Sequence, residues 1–103
     1  MNKRLEGLLG FYEKDPNDPF VLYGIALEYM SENQYQEADS FFRKLLEQNP
    51  DYVAGYLQYA QLKEKENKIE DAKELYKIGI EEARKAGDNK SANEMEDFLN
   101  ELG

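Results

Sequence analysis

Apolar residues recur along this chain with the period of an α-helix. Leu22, Ile25, Ala26 and Tyr29 stand at i, i+3, i+4 and i+7, the stripe of an amphipathic helix, and predict one over Pro19 to about Ser31. Ala38, Phe42 and Leu45 keep helical spacing over Tyr35 to Gln48, and Pro50 closes that run. Asn33-Gln34 between them suits a turn, so Pro19–Pro50 reads as a helical hairpin. Upstream, Leu5, Leu8, Leu9, Phe11 and Tyr12 give an apolar side to a helix over about Asn2–Lys14. Gly7 and Gly10 inside it each cost roughly 0.5–1 kcal/mol relative to alanine. Asp15–Pro19 is a turn followed by a helix start, with Asp18 as N-cap and Pro19 at the first helical position. Downstream, helices are expected over about Asp51–Glu66 and Ile69–Ala86, the second stopped by Gly87. A last helix over about Asn89–Leu102 keeps Ala92, Met95, Phe98, Leu99 and Leu102 on one face and Glu94, Asp97 and Glu101 on the other.

The pattern repeats after 34 residues. Leu22, Ile25, Ala26, Ala38 and Phe42 fall on Tyr56, Tyr59, Ala60, Ala72 and Tyr76, while backwards Pro50 falls on Pro16, Phe42 on Leu8 and Leu45 on Phe11. Through Leu22-x2-Ile25-Ala26-x2-Tyr29, Ala38-x3-Phe42 and Pro50, the chain resembles the tetratricopeptide repeat (TPR) family. The second copy keeps Tyr56-x2-Tyr59-Ala60 and Ala72-x3-Tyr76. It departs at Lys63, where a large apolar residue is usual, and at Arg84, where the first copy has Pro50. The resemblance implies an all-α, TPR-like right-handed solenoid in one domain. Its parts would be a half repeat over 1–16, repeats over 19–52 and 53–86, and a capping helix over 88–102.

Composition narrows the function. Among 103 residues, 13 basic against 22 acidic side chains leave a net charge of −9. That argues against nucleic acid and anionic membrane surfaces, and favours a basic protein or peptide partner. There is no histidine and no cysteine, so the usual bases and nucleophiles of hydrolytic chemistry are missing; no enzyme, cofactor or metal is expected. Asp15-x-Asn17-Asp18 lacks the glycine and terminal glutamate of a calcium loop. Glu37, Asp39, Glu70, Asp71 and Glu74 fall opposite the apolar stripes, as a solvated face does. No leader-like segment and no apolar run of about 18 residues is seen, which makes the cytoplasm the default location.

A second apolar stripe lies beside the core stripe of the Pro19–Ser31 helix: Phe20, Tyr23, Leu27 and Met30. In the family this chain resembles, first helices line a concave face that contacts an extended or helical partner segment. The resemblance thus implies a non-catalytic interaction module or scaffold binding a partner through Phe20, Tyr23, Leu27, Met30 and Leu57, with Gln61, Glu64 and Lys65 setting polarity at one end. Some members grip a partner's terminal carboxylate with Lys, Asn and Arg; Tyr23, Leu27 and Gln58 stand in those places here, which speaks against that mode. The alternative is a self-associating structural protein. Where the full repeats carry Asp39 and Lys73, or Arg43 and Lys77, the first helix carries Leu5 and Leu9, and where they carry Ala38 and Ala72 it has Arg4. Either the first helix is rotated about its axis, so that both leucines face the second helix, or something outside the chain covers them. The reading leans to a homodimer with Leu5 and Leu9 at or near its interface.

Overall fold

In the computed structural model, which describes residues 2–103, six α-helices follow one another through short turns. They are α1 (Lys3–Lys14), α2 (Pro19–Ser31), α3 (Tyr35–Gln48), α4 (Val53–Lys65), α5 (Ile69–Lys85) and α6 (Asn89–Glu101). No strand occurs among the described residues. α4 starts later than expected because Pro50 and Asp51 form a turn, and the Gly55 N–H donates to the Tyr52 carbonyl (3.0 Å).

The turns inside the hairpins are built alike. Asn33 and Asn67 have φ of 61° and Gly87 has φ of 74°, all left-handed. After α2, the Asn33 N–H donates to the Met30 carbonyl (3.0 Å) and the Gln34 N–H to that of Tyr29 (2.9 Å). Asn67 and Lys68 repeat the pair onto Glu64 and Lys63, and Gly87 and Asp88 repeat it onto Arg84 and Ala83. This double bond satisfies carbonyls that a helix end leaves orphaned, and it requires a positive φ that asparagine and glycine tolerate best. Gly87 therefore stops α5 as expected. Side-chain caps start α1, α2 and α6: Asn2 accepts from the Arg4 and Leu5 N–H groups, Asp18 from Phe20, and Asp88 from Ser91.

Contacts divide the chain after Asn49 into two units. In the first, α2 packs against α3 on one side and α1 on another. Leu22, Ile25 and Ala26 of α2 and Ala38, Phe42 and Leu45 of α3 are fully buried. α1 lies along Val21, Gly24, Ile25 and Glu28. Leu5 packs with Val21 and Ile25, and Leu8, Leu9 and Tyr12 pack against that cluster. A β-carbon on Gly24 would come within 3.2 Å of both Leu8 methyls, so the glycine sets how closely α1 approaches. Arg4 pairs with Glu28 (3.1 Å). Phe41 meets Tyr12 edge-on (5.3 Å) and Tyr29 face-on (5.9 Å).

One expectation is corrected here and one alternative is decided. Phe11, aligned with the buried Leu45 and expected on the apolar side of its helix, is 62% exposed. Leu5, aligned with Asp39, is only 3% exposed. Both follow from one cause: α1 is turned about its axis relative to α3, so that Leu5, Leu8, Leu9 and Tyr12 face inward. Its own unit covers Leu5, leaving that residue no surface to offer a second copy.

In the second unit, α5 packs against both α4 and α6. Tyr56, Tyr59, Ala60 and Leu62 of α4, Ala72, Tyr76 and Ala83 of α5, and Ala92 and Met95 of α6 form its buried set. Gly79 aligns with Leu45 of the first hairpin. A β-carbon there would stand 2.6 Å from the Met95 sulfur and 2.7 Å from the Tyr56 β-carbon, so Met95 occupies the volume a larger residue would need. Tyr76 stacks on Phe98 (5.8 Å). Arg84, free of the proline found at this place in the first hairpin, extends α5 and pairs with Glu96 of α6 at 2.5 Å.

Candidate partner-binding face

α2 is apolar nearly all round, and its apolar residues fall on three sides. One side packs on α3 and one on α1. The third carries Phe20, Tyr23, Leu27 and Met30, which lie outside the Leu5–Val21–Ile25 cluster. Phe20 is 70% exposed, and Tyr23, Leu27 and Met30 are half-buried. Helix α1 is seated on Val21, Gly24 and Ile25, and its Leu8 and Phe11 share a recess with Phe20 at the start of the stripe.

In the second unit, Leu57, Gln61 and Glu64 of α4 are half-buried and Lys65 is exposed. Glu64 is not a simple polar rim. It accepts a short hydrogen bond from the Tyr76 hydroxyl, and burial first, then this bond, push the phenol well above its ordinary pKa. Tyr56, whose hydroxyl donates to the Pro50 carbonyl (2.7 Å), is also raised, by burial first and then by the charges of Glu82 and Asp51. Lys63, the departure from the repeat pattern, keeps its stem in the protein: its ammonium lies 5.2 Å from the Tyr59 ring centroid and 3.5 Å from Glu66, and its side chain is only 12% exposed. A lysine thus replaces the aromatic by packing its methylenes and pairing its charge. It lines a recess of about 280 Å³ with Tyr59, Asp71, Glu74 and Leu75.

The acidic residues of the α1–α2 turn have structural partners. Asp15 accepts from the Asn17 N–H (3.2 Å), and Asp18 caps α2 through Phe20 (3.0 Å). Beside them opens a recess of about 270 Å³ lined by Leu8, Phe11, Asp18, Phe20 and Val21. The sequence pattern gave no sign of it, because Phe11 reaches the surface only through the turning of α1.

The profile of the tetratricopeptide repeat matches residues 29–93, more than half of the chain. A TPR repeat-containing protein of Pseudomonas aeruginosa is 24% identical over 98 residues, 95% of this chain and 93% of that one. Among solved structures, a tetratricopeptide repeat domain protein from Salinibacter ruber is 35% identical with a TM-score of 0.81, over 85% of this chain and 89% of that one. The TPR2B domain of yeast Sti1, solved as a complex with pHsp70, shares the fold at a TM-score of 0.88 and 16% identity, over 95% of this chain and 78% of that one. The paired helices, the repeated left-handed turns and these likenesses agree: the chain belongs to the tetratricopeptide repeat family.

Proposed function

We propose that this protein is a non-catalytic interaction module whose α2 face, Phe20, Tyr23, Leu27 and Met30, receives a helical or extended segment of a partner protein. TPR domains mediate protein–protein interaction, and one structural neighbour was solved with a partner bound. The observation that carries the reading is the third side of α2: an apolar stripe outside the core cluster, with Phe20 70% exposed at its start. Burying an exposed side chain of this kind against a partner contributes about 1.5–3 kcal/mol, and a half-buried one less, so the stripe supplies part of the binding free energy and further contacts supply the rest. α4 carries the aligned positions Leu57, Gln61 and Glu64, followed by Lys65, and we assign them the polar part of recognition in their own unit. The net charge of −9 favours a partner segment rich in lysine or arginine.

A photo-crosslinking residue at Tyr23, introduced in the organism that makes the protein, tests this. A discrete adduct with one protein is expected from Tyr23, and none from the same group placed at the exposed Ser40 of α3. Equal adducts from both positions would remove the α2 face as the site.

A further inference from the structure

The recess between α1 and α2 is lined by four apolar side chains and one carboxylate. Its lining includes the two large hydrophobic residues that stand out as exposed among the described residues, Phe11 at 62% and Phe20 at 70%. Leu8, seated on Gly24, and the buried Val21 form its floor. Exposed phenylalanines scattered singly need no explanation; two that wall the same recess form a patch. At about 270 Å³ the recess has room for one large side chain. Asp18 lies at its edge. One carboxylate oxygen, Oδ1, accepts the Phe20 N–H, and Oδ2 has no partner among the described residues. Asp18 is the charged residue of the lining, so the recess carries a negative charge at its edge.

We propose that this recess is a second docking site, which takes a bulky apolar side chain of a partner peptide with a lysine or arginine next to it. The apolar side chain fills the space between Phe11 and Phe20, and the cation meets the outer oxygen of Asp18. Charge decides the occupant: a second copy of this chain, itself at −9, would bring like charge to that negative edge. The recess shares Phe20 with the Phe20–Tyr23–Leu27–Met30 face and differs from it in the rest of its lining. Phe11, Asp18 and Val21 are not on that stripe, so the two sites can fail independently.

The test uses the ¹⁵N-labelled full chain and two probes, N-acetyl-Phe-Arg-amide and N-acetyl-Phe-Glu-amide, followed by amide chemical shifts. The arginine probe is expected to move the amides of Phe11, Asp18, Phe20 and Val21 saturably. The glutamate probe binds at least two- to fivefold more weakly, the worth of one exposed ion pair. Phe11→Ser lowers the affinity of both probes about tenfold or more. Asp18→Asn keeps the N-cap and lowers only that of the arginine probe, by two- to fivefold. Equal binding of the two probes, or shifts centred elsewhere, overturns the proposal. So does movement of the same amides with protein concentration in the absence of probe, because that would seat a second copy in the recess.

Discussion

Gly7 and Gly79 both sit inside helices, yet substitution should have opposite effects. A β-carbon on Gly7 or Gly10 would meet nothing within 4 Å, whereas on Gly79 it would collide with Met95 and Tyr56. Gly7→Ala and Gly10→Ala should therefore each stabilise the protein by about 0.5–1 kcal/mol, because alanine loses less chain entropy on folding. Gly79→Ala should destabilise by about 1–3 kcal/mol, as overpacking does. Thermal melts of the three variants check the signs, and a stabilised Gly79→Ala would contradict the packing of α6 described above. The cost of Gly7 and Gly10 could be read from the sequence, since it needs only the helix they occupy. The role of Gly79 could not, because it depends on Met95, and α6 does not follow the repeat.

At the scale of the element, the helices were legible, and the rotation of α1 was legible only as one of two alternatives. Periodicity, Asp18-Pro19 and Gly87 placed helix ends within a residue or two of those observed, because caps and left-handed turns act locally. Aligning α1 with α3 by the repeat placed Phe11 inside, where it is found exposed, and left Leu5 either turned towards α2 or covered from outside; it is found turned inward. Register carries over between repeats only where the packing neighbours are repeated too. Leu5→Ala should destabilise by about 2–5 kcal/mol, as for a buried leucine in a packed core. Leu5→Lys should lose α1 packing at every protein concentration. Denaturant melts at two concentrations decide this: a mutational cost that vanishes on dilution would return Leu5 to an interface between copies.

For the whole molecule, the pH dependence of stability follows from its tyrosines. Tyr76 and Tyr56 hold their protons more tightly when folded than when unfolded, where the phenol titrates near 10.0. A raised folded pKa means a contribution that is fully present below the unfolded value and is lost as pH rises above it. Stability should therefore change little between pH 7 and 9 from this source and fall above about pH 10. Tyr76→Phe should cost about 1 kcal/mol at pH 7 through the lost bond to Glu64, yet flatten the alkaline fall. An unchanged alkaline slope in that variant would mean that Tyr76 is not its source.

The central claim is that the third side of α2 binds a partner rather than completing the core. It is tested most directly by capture with the Tyr23→Ala/Leu27→Ala double variant, read beside its helical circular dichroism. Wild-type helicity together with loss of the partner that crosslinks to Tyr23 is the expected result. A double variant that keeps its helicity and still captures that partner at the wild-type level would contradict it.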